Sequence, residues 1–319
     1  MIQKPKGTRD FLPGEKQARE TVFAILKNVA KRYGYGEIET PAFESIETLT
    51  KKSGSEIKEQ IFVLEKKSNE EFGLKFDMTI PAARLFVEQQ KSIKKPARWF
   101  YVDKMQRYEA PQKGRLREFY QFGVELFGSN EAEADAEIIS LAIDSLVALG
   151  LTDQDFVVKI NSRKLLEGFL ESIEIRDIDA VARAIDKSKK ISEQEFEKEL
   201  DNANCSKEQI SKIKSFIAIR KIEDLSKDLN EKGKEGLEEI KRVISLLKIL
   251  EKDSFLQFDP SVARGLAYYT GTVFECFNRD ETIRAIFGGG RYDNLIELYV
   301  DKKQEQRDLQ WAMLHCNYC

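Results

Sequence analysis

With 319 residues, 41% of them hydrophobic, the chain has material for one large domain plus a smaller one and a buried core. Charged residues make up 34% of it, yet the formal net charge is only -3, which excludes a globally basic nucleic-acid binder and leaves room for a local basic patch. No apolar run approaches the roughly 20 residues that cross a bilayer and no apolar stretch follows the first six residues, so the expected address is the cytoplasm, with no membrane.

In chain order, Lys6-Gly7-Thr8-Arg9-Asp10-Phe11-Leu12-Pro13 reads as a turn before a helix. Residues 15–32 repeat Val22, Ile25, Leu26 and Val29 at helical spacing, which predicts one apolar face. Residues 37–43 are extended, and Pro41 suits an edge or interface strand. Residues 61–64 and 74–77 flank the polar turn 66–71 and predict a hairpin. Asp77 and Thr79 then lie on one side of the strand's end, before a helix with Pro81 in its first turn; Asp77 alone fits a capping carboxylate.

Residues 98–128 read as two strands joined by a basic loop that carries Lys113, Arg115 and Arg117. The period of two puts Phe119, Gln121, Gly123 and Glu125 on one face of the second strand and Tyr120, Phe122, Val124 and Leu126 on the other. The same period places Arg107 and Glu109 together on the first strand. Cations at the loop and a Gln/Glu pair on the floor suit an anionic ligand with an ammonium end. A helix over 131–149 and a strand over 156–161 follow. Residues 163–253 are rich in Lys, Glu, Ile and Leu without proline, an inserted helical stretch whose charges read mostly as a solvated face. Strand-like sequence returns at Phe255, and the run Gly288-Gly289-Gly290 is a weak phosphate-loop signal without the Gly-Lys-Ser/Thr ending of a P-loop.

Arg107-Tyr108-Glu109, the loop, and Arg115-Leu116-Arg117-Glu118-Phe119 resemble motif 2 of the class II aminoacyl-tRNA synthetases. Around them, residues 6–13, the Pro41 segment, Asp77-Met78-Thr79-Ile80-Pro81, residues 262–275 and Gly288-Gly289-Gly290-Arg291-Tyr292-Asp293 are similar, in order, to motifs of the histidyl-tRNA synthetase family, up to about Tyr299. Ala267 stands where that family commonly has Asp, as in its archaeal members. The resemblance implies an α+β fold: a class II aminoacyl-tRNA synthetase-like antiparallel sheet flanked by helices, with an inserted helical subdomain. It implies a catalytic core in two parts, 1–162 and 255–299, around an insertion at 163–254, and a homodimer through the segment at Pro41.

By the same resemblance the reaction is ATP-dependent activation of histidine and its transfer to tRNA(His), with Mg2+ brought by the triphosphate. Arg107 and Arg264 are the implied catalytic cations. Arg107, Glu109, Arg115 and Phe119 would hold ATP; Asp77, Thr79, Gln121, Glu125, Arg264, Tyr268, Tyr269 and Glu275 would hold histidine. The residues agree with this chemistry, because a carboxylate attacking a phosphoryl group is already ionised at neutral pH and needs no general base, and His315 is the only histidine. The alternative is the regulatory subunit of ATP phosphoribosyltransferase, which resembles the same catalytic core.

Cys205, Cys276, Cys316 and Cys319 are too few for a disulfide scaffold and suit a reducing compartment. Cys316 and Cys319 form Cys-x-x-Cys beside His315, a ligand short of a closed tetrahedral metal site, so no metal is expected there. Residues 300–319 form an anomalous tail. In the frame starting at the third base of each codon, residues 307–313 permit Gly-Phe-Ala-Met-Gly-Asp, which resembles the family's motif 3, so the tail is expected to be a frameshift on a truncated synthetase.

Overall fold

The computed structural model describes residues 2–51, 58–66, 69–112, 114–225, 229–264 and 269–299, and the backbone of 313–318. Two compact units divide the chain: Met1–Asn130 with Asp144–Leu151 and Asn294–Cys319, and Glu131–Ile143 with Thr152–Asp293.

In the first unit, helix α1 (Pro13–Arg32) starts where Pro13 ends the preceding turn. The Glu15 carboxylate accepts the Leu12 N–H at 3.2 Å, supplying an acceptor that the first turn lacks. Leu26, Val29 and Ala30 are its buried face; of the predicted stripe, Leu26 and Val29 are buried, Ile25 is half-buried and Val22 is exposed. The two-residue strand β1 (Gly36–Glu37) follows; Pro41 lies after it in irregular, exposed chain, and β2 (Phe43–Ser45) leads into the short helix α2 (Ile46–Thr50). The expected hairpin of 61–64 with 74–77 forms in a shifted register: Val63 bridges Gly73, with Leu64 N–H on Phe72 O and Leu74 N–H on Phe62 O, both at 2.9 Å, while the other edge of β3 (Phe72–Leu74) takes β2 as its antiparallel partner. Helix α3 (Thr79–Gln89) carries Pro81 in its first turn, as expected.

Strands β4 (Ala97–Gln106) and β5 (Glu118–Phe127) form the long antiparallel pair, with Trp99 opposite Glu125 and Asp103 opposite Gln121. β1 runs parallel to β4. Helix α4 (Ala132–Ala148) begins in the second unit and ends in the first.

The second unit opens with β6 (Phe156–Ser162), buried along its whole length. Five helices follow: α5 (Arg163–Ser172), α6 (Ile178–Lys187), α7 (Glu193–Asn202), α8 (Lys207–Ile217) and α9 (Glu231–Ile249). Each begins on a Ser, Asp or Asn side chain that accepts a first-turn N–H: Ser162, Asp177, Ser192, Ser206 and Asn230. Leu166, Phe169, Val181, Ile185, Leu200, Ile213 and Phe216 share one buried cluster with Phe258 and Ala263, so the helical core continues into the chain that follows it. Strands β7 (Leu256–Phe258), β8 (Thr272–Asn278) and β9 (Phe287–Arg291) complete this unit's sheet, in the order β9-β8-β6-β7. The glycine run is therefore the interior of a strand.

The end of the chain, for which no element was expected, forms β10 (Met313–Tyr318), antiparallel to β5 with Met313 opposite Phe127 and Tyr318 opposite Phe122. Among the described residues no helix is long and apolar enough to cross a membrane.

Candidate active site

The first unit places its polar residues by strand periodicity. Gln121 and Glu125 lie on the same face of β5 and are 1% and 0% exposed, so the sheet holds an amide and a carboxylate in low dielectric. Thr79, at the start of α3, donates its hydroxyl to Glu125 Oε1 at 3.3 Å. Asp77 is half-buried and accepts the Ile80 N–H at 3.3 Å, so it does cap α3. Asp77, Thr79, Gln121 and Glu125 thus come from two elements of one unit, and Thr79 with Glu125 is in direct contact.

Arg107 and Glu109 do not share a face of the first strand. β4 stops at Gln106, because Tyr108 N–H turns away to Gln60 O at 2.7 Å and leaves the ladder after Arg107. Arg107 keeps its N–H on Arg117 O at 2.8 Å, donates Nε to Phe76 O at 3.0 Å, and lies 5.0 Å above the Phe119 ring. Glu109 faces the basic loop, where it accepts from Arg115 Nη2 at 2.9 Å while its carbonyl accepts from Arg117 Nε at 2.9 Å. Arg115 is exposed and Arg107 half-buried.

The N-terminal turn reaches this loop. Gly7 O accepts the Arg117 N–H at 2.7 Å, and Gly7 has φ +84°, where a Cβ would come within 2.8 Å of Arg117 Cγ. A residue without a side chain is needed for the turn to lie against the loop, which gives the sequence motif at 6–13 a packing reason.

The second unit positions Arg264, Tyr269 and Glu275; Tyr268 lies outside the described residues. Arg264 has φ +39°, strained for a side chain of that size. Its guanidinium lies 5.3 Å above the Tyr269 ring, donates Nη1 to Phe274 O at 3.4 Å, and sets Nε 4.0 Å from Glu275 Oε1. Burial pushes the Glu275 carboxyl above its ordinary range, against the pull of Arg264.

The glycines of β9 make room for this group. Gly288 stands opposite Glu275 in the sheet, and a Cβ there would come within 1.8 Å of Arg264 Nη1. A Cβ on Gly290 would meet Tyr269 Cδ1 at 2.6 Å and Thr272 O at 2.7 Å. Tyr269 stacks on Tyr292 with ring centroids 4.7 Å apart.

Thr270, Arg291 and Asp293 stood in the sequence motifs without a role, and Asp135 was not singled out; together they hold these groups in place. Thr270 Oγ1 donates to Asp293 Oδ2 at 2.6 Å, tying the end of the Arg264 segment to the residues after β9. Arg291, almost buried, donates Nη2 to Asp135 Oδ2 at 2.9 Å and to Glu131 O at 3.0 Å. Burial raises the Asp135 carboxyl to about 6 in spite of that arginine. A further missed group surrounds Asp259, fully buried, whose Oδ2 accepts from Lys189 Nζ at 2.5 Å and whose Oδ1 accepts from Ser261 Oγ at 2.6 Å. Burial opposes its charge, but Lys189, Ser261 and Arg220 outweigh it and hold the carboxyl below its usual range. Asp-Pro-Ser at 259–261 is a turn signal legible in the sequence.

Solved structures share this architecture. Histidyl-tRNA synthetase from Nostoc sp. PCC 7120 superposes with a TM-score of 0.85 at 28% identity over all of this chain and 73% of the other. A Bacillus halodurans protein described as an ATP phosphoribosyltransferase regulatory subunit/histidyl-tRNA synthetase also gives 0.85 at 28% identity, over all of this chain and 81% of that one. The fold is that of a class II aminoacyl-tRNA ligase. Among relatives of similar sequence, the histidine–tRNA ligase of Pyrococcus abyssi is 40% identical over 95% of this chain and 71% of its own length. That of Haloarcula marismortui is 41% identical over 93% and 69%. The histidyl-tRNA synthetase family model matches residues 7–306, and the chain belongs to that family. The match continues past Tyr299, where resemblance by motif had ended; residues 300–306 carry no motif that names a function.

Proposed function

We propose that the chain activates histidine with ATP to histidyl-adenylate and transfers the histidyl group to tRNA(His). The reading is carried by the 40% identity, over 95% of the chain, to a protein named histidine–tRNA ligase. In the first step a carboxylate oxygen of histidine bonds to the α-phosphorus of ATP while the bond to the bridging oxygen of pyrophosphate breaks. Negative charge grows on the phosphoryl oxygens, and Arg107 and Arg264 supply cations that stay ionised and fork onto phosphate. In the second step a terminal tRNA hydroxyl takes the acyl group and AMP leaves.

Each residue has a proposed role. Arg107 serves the α-phosphate, Arg115 the outer phosphates, and Glu109 orients Arg115, with which it is paired. Phe119, which packs on the cluster of Met78, Tyr101 and Met105 and has Arg107 5.0 Å from its ring, is proposed to stack on adenine. Asp77, Thr79, Gln121 and Glu125 meet the ammonium group and nearby polar atoms; Arg264 also meets the carboxylate. Tyr268, Tyr269 and Glu275 line the imidazole pocket. Buried polar groups select strongly, since a wrong side chain leaves each unpaired at a cost of about 1 to 3 kcal/mol.

No group of three or more His, Cys, Asp or Glu able to hold a metal occurs among the described residues. Mg2+ is proposed to come with the triphosphate, whose oxygens would hold it, and would neutralise phosphate charge when bound. Residues 163–254 are proposed as an insertion between the two parts of the core, and the chain as a cytoplasmic homodimer paired through the exposed segment at Pro41. A monomer in light scattering at micromolar concentration would contradict the dimer, and recovery in a membrane fraction would contradict the address. The regulatory-subunit reading is not favoured, because relatives at 38 to 41% identity are named ligases. The test is ATP–pyrophosphate exchange: exchange that requires both histidine and ATP is expected, and histidine binding without exchange would select the regulatory reading.

A further inference from the structure

We infer that Asp259, Asn161 and Lys189 are positioning residues for Arg264, and that Lys189 ties the helical stretch of the second unit to the turn that presents this arginine. The role assigned to Arg264 rests on the proposed function; the geometry of the turn does not.

The turn begins where β7 ends. Asp259 N–H donates to Ile160 O on β6 at 3.1 Å, and Val262 N–H returns to Asp259 O at 3.0 Å. Ser261 N–H and Oγ–H both donate to Asp259 Oδ1, at 3.0 and 2.6 Å. The carbonyls of Pro260 and Val262 accept from one side-chain amide: Asn161 Nδ2 lies 3.1 and 3.0 Å from them. Pro260 has no N–H to satisfy, so every backbone N–H from Asp259 to Val262 has a partner within the unit. Asn161 and Asp259 are fully buried. Ala263 packs into the helical core, and the next residue is Arg264 at φ +39°. A strained backbone persists only where its surroundings over-determine it, and this turn supplies that determination.

The surroundings reach beyond the sheet. Lys189 lies in the turn after α6 and donates to Asp259 Oδ2 at 2.5 Å. Arg220, after α8, is 3.7 Å from Oδ1, and Lys159 on β6 is 3.7 Å from Oδ2. Lys159 is already engaged by Glu281 at 2.5 Å, which leaves Lys189 as the close cation on Asp259 among the described residues. The carboxylate therefore serves two purposes: one oxygen shapes the turn, and the other is held by the helical stretch. A displacement of the α6–α7 connection would pull on Asp259 and, along the chain from Pro260 to Ala263, on Arg264, where an error of about 1 Å costs up to a hundredfold in rate.

Lys189 is 40% exposed, and when it is replaced Lys159 and Arg220, each 3.7 Å from Asp259, stay as charge partners of the buried carboxylate. In Lys189→Met, amide hydrogen exchange at Ser261, Val262 and Arg264 is expected to quicken about tenfold. The kcat of histidine-dependent ATP–pyrophosphate exchange should fall about tenfold or more with the KM for histidine within about twofold, the signature of a misplaced transition-state contact. Lys189→Arg, which keeps the charge, should restore both. Amide exchange at the wild-type rate in Lys189→Met overturns the inference, as does faster amide exchange with unchanged kcat in a chain whose wild type is active. A wild type without pyrophosphate exchange would overturn the proposed function instead, and the amide rates alone would then decide whether Lys189 holds the turn.

Discussion

In the first unit, Gln121 and Glu125 stand on a ten-residue strand whose regular pleat alone puts them on one face. In the second, Arg264 leaves a turn at a positive φ, supported by side chains from β6, from the α6–α7 connection and from the turn itself, and its guanidinium fills space left by Gly288. The contrast separates two ways of fixing a polar group. A residue on a ladder inherits its position from many backbone hydrogen bonds, so one change moves it little. A residue on a supported turn depends on each support individually, and it can be adjusted from a distance.

The largest effect that probes this contrast is expected from Arg264→Ala. Its charge partner grows in the transition state, so adenylate formation should drop about a thousandfold while histidine binding, followed by calorimetry, weakens far less. Loss of both together would reassign Arg264 to structure. Next is the buried Asp135. Between about pH 4 and 6 the folded chain keeps a proton on this group that the unfolded chain has released, since its folded pKa is raised to about 6 from 3.8. Its contribution to stability is therefore fully present below pH 4 and declines as pH rises through that window, by at most about 3 kcal/mol. Urea melts of Asp135→Asn should be flatter across those pH values than the wild type; identical slopes would refute the assignment.

Gly288→Ala should lower kcat about fiftyfold without unfolding the chain, because the new methyl group displaces the flexible end of Arg264 and no backbone. Circular dichroism separates that outcome from collapse, and full activity would mean that Arg264 does not need this space. The smallest effects are expected on the ladder side. Gln121→Ala or Glu125→Ala should raise the KM for histidine about tenfold with a lesser change in kcat, and unchanged KM in both would remove them from the amino acid's pocket.

The same contrast explains what could be read from the sequence. α1, α4, β5 and β6 have periodic apolar residues, and their presence was legible within a few positions. Gln121 with Glu125 followed from the period of two. The end of β4 was not legible, since it depends on a hydrogen bond from Tyr108 to Gln60, far away in sequence. The pairing of 61–64 with the β3 segment was legible, though in a register shifted from the expected 74–77, whereas β2 as the second neighbour of β3 was not, since three-residue strands carry too little pattern to announce a partner. The motif around Arg264 was visible, but the reason for its neighbours was not. Asn161 looks like any polar residue at a strand's end, and its two bonds to 260 and 262 exist only once β6 and β7 are adjacent.

The glycines of β9 have one more consequence. Position 288 is a mould of the arginine that lies on it, so the two positions carry a single requirement between them. A chain of this fold that gives up the arginine has no further need of glycine there, and a side chain at 288 becomes free to stiffen the strand. Reading these two positions together therefore distinguishes, from sequence alone, a sheet still shaped around a guanidinium from one that has kept the architecture for another use.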